Sequence, residues 1–370
     1  MMTHEQYLST KRFPALDGLR AIAALLVVVF HYGGPSWAMA NGWIGVHLFF
    51  VLSGFLITTL ALREEDRNGR ISLANFYIRR AFRILPVYFA VLGIIVVFTY
   101  LRGQYTSSGL SGAMPYFLTF TNEFAHNAPF GQSWTLGVEQ KFYLVWPFMA
   151  FGIAALSFPK RLGLAIGLIA LMIALIPVMP YAGAYSPIII GCALAIGLHY
   201  RKGFAILRVF THPLASFVLL AALVVLQTHV TDIEAFFQDG GTVGGTTYAV
   251  LVALLITSLI PRGPIAWLFS TPPMRFIGER SYSVYLLQGV AATVVALSIP
   301  QLGTHRTLTA IAVTVVALVI SDVLYRWVEM PMIDVGRKVV AWRGTRSDAR
   351  RRPSPPDPTV RDVEPALASG

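Results

Sequence analysis

Arg20 and His31 stand eleven residues apart in one apolar segment, Ala15 to Tyr32, with Asp17 three residues ahead of the arginine. In a helix, eleven steps of about 100° come to roughly three turns plus 20°, which puts both side chains on one stripe about 16 Å apart. Asp17 falls within about 40° of that stripe, at a spacing where an ion pair with Arg20 can form. Ionisable groups are costly in hydrocarbon, so such a stripe is expected to face a protein interior or a wet cavity. A neutral imidazole takes a proton from a hydroxyl, the general-base role, and burial would keep His31 neutral. The planar fork of Arg20 suits a phosphate or pyrophosphate, with Asp17 orienting it. Plainer readings stand beside these: a packing histidine bonded across a bundle, and an arginine snorkelling to a membrane edge.

Two further clusters carry reactive types. Tyr77-Ile-Arg79-Arg80-Ala-Phe-Arg83 places three guanidinium groups within about 6 Å of helix rise, and Arg80 and Arg83 are i,i+3 neighbours suited to phosphates. Anchoring at a cytoplasmic membrane edge explains such a run equally well. In Trp134-Thr-Leu-Gly-Val-Glu139-Gln-Lys141 the lysine is two residues from the carboxylate and so on another face, which turns Glu139 inward to a helix or cavity. His47 near a helix end reads as a second proton carrier or, slightly favoured, an interfacial residue, and Asp322 as a structural carboxylate in the last apolar span. The chain has no Walker loop, no GxSxG elbow and no HExxH. Its histidines show no close ligand spacing and its one cysteine, Cys192, cannot build a thiolate cluster, so no metal site is expected.

The elements that position these residues are read from composition. The 370 residues are 55% hydrophobic and 13% charged, about half the charged share of a soluble domain. Several apolar runs reach bilayer length. The fold class is therefore all-α, a polytopic integral membrane protein of about ten transmembrane helices. The spans are read at 15–33, 44–62, 82–101, 138–157, 162–179, 186–200, 213–230, 245–260, 282–298 and 308–327. With both termini cytoplasmic, all but Arg102, Lys141 and Arg306 of the 29 Lys and Arg residues fall on the inner side, as the positive-inside rule predicts. The net charge of +11 thus reflects membrane topology and not a nucleic-acid partner. The N-terminal apolar run is long for a signal h-region and is read as a retained first span. Residues 102–133 form the longest outer loop, expected to be functional or mobile. A membrane domain is expected over 1–340, followed by a disordered, basic, Pro-rich cytoplasmic tail at 341–370.

Taken in order, these blocks resemble the acyltransferase-3 family of integral membrane O-acyltransferases. The matching stretches are Leu16-Asp17-Gly-Leu-Arg20 with His31, Gly45-Val-His-Leu-Phe-Phe-Val-Leu-Ser53-Gly54, Arg80-Ala-Phe-Arg83, Trp134 to Pro147, Phe276 to Leu287 and Tyr325-Arg-Trp-Val-Glu329-Met-Pro331. The resemblance covers residues 13–335. It implies transfer of an acyl group, expected to be acetyl, from cytoplasmic acyl-coenzyme A to a hydroxyl of a carbohydrate, glycolipid or glycosylated metabolite. Acyl-coenzyme A would be a co-substrate, with no tightly bound cofactor, and the location would be the inner cell membrane. Carried over residue by residue, His31 would be the base, Glu139 would complete the catalytic site, and Arg20, Arg80 and Arg83 would bind the donor. The family usually has Asp where this chain has His47, and His where Gln288 stands; these departures lie on the acceptor side. The alternative function is a transporter or flippase of a glycan or lipid that uses the buried ionisable stripe.

Overall fold

The computed structural model describes residues 1–152, 156–237 and 242–351, with side chains described up to residue 344. Every regular element in them is helical. In chain order these are α1 (His4–Ser9), α2 (Pro14–Tyr32), α3 (Gly45–Asn68), α4 (Leu73–Leu101), α5 (Leu110–Thr119), α6 (Trp134–Pro147), α7 (Phe158–Leu175) and α8 (Tyr185–His199). There follow α9 (Arg201–Leu207), α10 (Pro213–Phe237), α11 (Thr242–Leu259), α12 (Pro264–Phe269), α13 (Pro272–Glu279), α14 (Ser281–Ser298), α15 (Arg306–Leu324) and α16 (Met330–Arg351).

Nine helical segments among the described residues are long and apolar enough to cross a membrane. The chain is a multi-pass membrane protein. The expected span at 138–157 is not among the nine. α6 ends at Pro147 after fourteen residues, and a π turn, Phe148–Gly152, follows. A proline removes an amide donor and crowds the preceding turn, so the helix changes geometry there.

α3 is the hub. Its span buries 78% of its apolar window, whereas those of α7 and α10 bury 11% and 22% and therefore lie at the periphery, turned outward. α3 and α8 pack backbone to backbone. A side chain at Gly54 would meet the Ile188 carbonyl at 1.9 Å, and one at Gly191 would meet the Val51 carbonyl at 2.1 Å. Close approach through small residues is how apolar helices gain packing when lipid offers no hydrophobic drive. The same device sets α2 against α13, where a Cβ at Gly278 would lie 1.8 Å from the Asp17 carbonyl.

Residues 102–133 are not a free loop. α5 and two short 3-10 turns, Asn122–Phe124 and Gly131–Ser133, fold them into the bundle, burying Leu110, Phe117 and Phe130. Tyr88 donates to the Phe117 carbonyl (2.9 Å), and Asn122 donates to Tyr88 (2.9 Å) and to Ser133 (2.8 Å). Pro115 inside α5 and the glycines around it hide this helix from a periodicity reading. At the other end, α16 runs past residue 340 to Arg351. The tail, expected to be disordered from residue 341, is helical over 341–351 instead, and its remainder, 352–370, lies outside the described residues.

Candidate active site

α2, α3, α4, α6 and α14 converge on a central cavity of about 90 Å³. Arg20 reaches it from α2, Ser53 from α3, Arg80 and Arg83 from α4, Glu139 and Tyr143 from α6, and Tyr282 and Tyr285 from α14. Four of the six residues singled out in the sequence therefore meet in one place. Glu139 lies beside Ser53 and Tyr143 and in the field of Arg20 and Arg80. Ser53 and Tyr143 are hydrogen-bonded to each other, and the Arg80 guanidinium stands 5.2 Å from the centre of the Tyr143 ring. Lys141, as its spacing implied, faces elsewhere: it pairs with Glu123 at 2.6 Å and donates to the Phe120 carbonyl at 3.0 Å.

None of Arg20, Arg80 and Arg83 closes an ion pair with a carboxylate among the described residues. Two carboxylates, Glu139 and Glu279, line the same cavity, and Glu279 is turned to Arg275 and Arg280 at 3.7 and 3.8 Å. Three guanidinium forks with unspent donors around a small cavity make a strong anion-receiving field. A second cavity of about 230 Å³ shares Arg80 and Arg83 with the central one and adds Arg79 and Arg337. It forms a basic mouth that leads inward.

Asp17 does not line the central cavity. Its backbone is pressed against α13, and its carboxylate acts on Arg20 through space without a salt bridge among the described residues. His31 departs further from expectation. It is exposed at the last turn of α2 and opens into a third cavity, of about 390 Å³, at the opposite end from the basic mouth. Shared azimuth on a helix is not shared depth, and about 16 Å of rise separates it from Arg20. Its Nδ1 bonds the Val27 carbonyl at 2.8 Å. A carbonyl only accepts, so Nδ1 carries a proton in this contact and Nε2 is the nitrogen left for another partner. The central and far cavities share Val46, Phe50 and Tyr285 as a common wall. Tyr285 is held there by donating to the Gln132 carbonyl (2.8 Å) and accepting from Thr135 (3.1 Å).

Comparison with known proteins decides the family. The family model described as an acyltransferase domain matches residues 13–326. The chain belongs to the acyltransferase-3 family. It is 28% identical to the peptidoglycan O-acetyltransferase OatA of Listeria monocytogenes, with 88% of this chain and 56% of that protein covered. It is 29% identical to YrhL of Bacillus subtilis, which carries a provisional name as a peptidoglycan O-acetyltransferase, with 94% and 57% covered. This acyltransferase-family chain thus spans less than two thirds of the length of these curated relatives. No solved structure matches it.

The structure gives places to other residues that the sequence named without a firm role. His47 lines the far cavity with a buried Nδ1 that has no partner among the described residues, edge-on to Trp43 with ring centres 5.6 Å apart. Gln288 is buried, donates to the Tyr285 carbonyl at 3.1 Å and does not line that cavity; Gln132 from the folded loop does. Glu329, buried in a π turn, accepts from Ser283 at 3.2 Å and acts on Arg83 and Arg20. Asp322 keeps the structural part read for it, bonded to Arg280 at 2.7 Å and Arg326 at 2.9 Å.

Proposed function

We propose that this chain is a membrane O-acyltransferase that moves a short acyl unit, acetyl, from cytoplasmic acyl-coenzyme A to a hydroxyl of a carbohydrate or glycosylated acceptor. The observation that carries the reading is the convergence of Arg20, Arg80 and Arg83, with no salt bridge to a carboxylate among the described residues, on a cavity set back to back with the one that holds His31. In this reading α6 and the π turn after it make a tenth crossing, so that both termini are cytoplasmic; the protein sits in the inner cell membrane, and the basic mouth takes the nucleotide phosphates. The central cavity of about 90 Å³ is far below the roughly 300–1,000 Å³ of whole-ligand sites, which favours a small acyl group over a fatty chain. Glu139, between the arginines and against Ser53 and Tyr143, orients the arm where it enters.

The pantetheine arm covers the roughly 16 Å from Arg20 towards His31. The acceptor oxygen attacks the thioester carbonyl; the ester C–O bond forms as the C–S bond breaks. His31 Nε2 takes the hydroxyl proton and returns it to the departing sulfur, which leaves as free coenzyme A. The test is acetyl-coenzyme A turnover by purified protein in nanodiscs, with His31→Ala compared at equal folded yield. A loss of about 10²–10⁴-fold is expected for removal of a general base; full retained turnover would remove His31 from the chemistry.

A further inference from the structure

A fourth cavity, of about 950 Å³, opens where three membrane-spanning helices end: Pro14 and Ala15 begin α2, Pro213 begins α10 and Leu259 closes α11. It lies on the same side of the bundle as the basic mouth. α1, whose Gln6 and Ser9 line it, is held at that end of α3, where Arg63 donates to the Tyr7 carbonyl at 3.5 Å and the next residue, Glu64, lines the mouth. The charge of the cavity is one-sided. Arg12, between α1 and α2, and Arg262, between α11 and α12, both line it, and neither makes an ion pair or hydrogen bond among the described residues. No Asp or Glu lines it among the described residues. Its hydroxyls are spent on backbone carbonyls: Ser9 and Thr10 donate to Gln6 at 3.0 and 2.7 Å, Thr211 to Arg208 at 2.7 Å and Ser270 to Ala266 at 2.6 Å. Gln6 accepts from the Thr3 amide with its oxygen, and its amide nitrogen is left as a donor beside the two open guanidinium forks. That is a donor set for an oxyanion.

We infer that this cavity receives the phosphate headgroup of an anionic phospholipid, with Arg12 and Arg262 on the phosphate and the acyl chains along the outward face of α10. Three observations fix the occupant. The ends of three spans put the cavity at headgroup depth, where basic pockets between helices attract anionic lipid. Beyond Pro213 the wall continues into an apolar surface turned away from the bundle, on which Leu214, Phe217 and Val218 are exposed. Trp267 of α12, 72% exposed, stands at the rim, and tryptophan gathers at the boundary between bilayer and water. A soluble phosphate would use the forks and leave that apolar continuation idle. A zwitterionic headgroup would bring an ammonium that meets two guanidinium groups and no carboxylate, and a charge without a partner selects against its bearer. The inference rests on the membrane spans and not on the acyltransferase reading, so either can fail alone.

The experiment titrates the purified full chain in detergent with phosphatidylglycerol or phosphatidylcholine of the same acyl chains. Bound lipid is counted by native mass spectrometry. Phosphatidylglycerol is expected to bind with a Kd at least about tenfold below that of phosphatidylcholine. Arg12→Gln with Arg262→Gln is expected to bring the two lipids level. Lys11→Gln with Arg201→Gln removes the same charge from exposed positions outside the cavity and is expected to change neither Kd by more than about twofold. Both double variants are compared at equal monodisperse yield. Free glycerol phosphate, added in excess to the wild-type complex, is expected to leave phosphatidylglycerol in place. Equal affinities of the wild type for the two lipids overturn the site. An equal loss in the Lys11 and Arg201 control reduces the binding to general surface attraction and overturns it too. Displacement by glycerol phosphate would give the forks to a soluble anion and overturn the lipid as occupant. The lipid comparison and the competition need no variant, so a failure of the Arg12 and Arg262 pair to fold still leaves the inference open to refutation.

Discussion

Five arginines in this bundle divide into two kinds. Arg161 is 2% exposed and fully engaged: it donates to both Glu65 oxygens at 2.6 and 2.7 Å, to Tyr200 at 3.0 Å and to the Ala150 carbonyl at 3.1 Å. Arg280 is likewise bonded to Asp322 and the Phe276 carbonyl, with its guanidinium 3.7 Å from the centre of the Phe276 ring. Arg20, Arg80 and Arg83 surround a cavity and close no such pair among the described residues. The difference teaches that the residue type says little here and the state of its donors says much. An arginine whose fork is filled by the chain's own carboxylates is a tie between helices; one whose fork is open at a cavity has its partner still to come.

Three variants press on that division, from the largest effect to the smallest. Arg161→Ala removes a tie and leaves Glu65 beside a buried hole. It is expected to lower stability by about 3 kcal/mol, read as a fall in thermal midpoint in detergent, with the donor KM of the folded fraction unchanged. A raised donor KM would dissolve the distinction between the two kinds. Arg80→Ala with Arg83→Ala is expected to raise the donor KM by at least about tenfold, since a hydrogen bond to a charged group contributes about 1.5–3 kcal/mol, while the acceptor KM and thermal midpoint change little. An unchanged donor KM would return both residues to membrane anchoring. Arg326→Ala breaks an i,i+4 pair with Asp322 in which the arginine is 65% exposed. Its cost is expected to stay below about 0.5 kcal/mol, because burial and not the number of pairs decides what a tie contributes; a larger loss would show that the Arg280–Asp322–Arg326 group acts as one network.

The helical class and most of the spans were legible from hydropathy, because bilayer length is written directly in runs of apolar residues. The span at 138–157 was not, since Pro147 changes the helix type within a run that stays apolar. The reactive types of the site were legible, and so was the inward turn of Glu139, because Lys141 sits at a spacing that excludes a pair. The depth of His31 was not: helical spacing gives the direction of a side chain and says nothing of which cavity opens beside it. His47 escaped for a related reason, since its burial depends on Gly245 of α11, whose Cβ would stand 2.9 Å from the imidazole Nε2. That contact joins positions almost two hundred residues apart, which no local pattern carries. α5 was hidden within a polar, proline-containing stretch and became visible only through what it packs against.

The shared wall of Val46, Phe50 and Tyr285 has a consequence of its own. A passage open from the basic mouth to the far side would short-circuit the membrane, letting protons run down their gradient through every copy of the protein. Two chambers set back to back across a thin apolar partition keep the bilayer electrically sealed. In the proposed reading, what reaches past that wall is the uncharged pantetheine arm with its acyl group, while the charged nucleotide stays at the basic mouth.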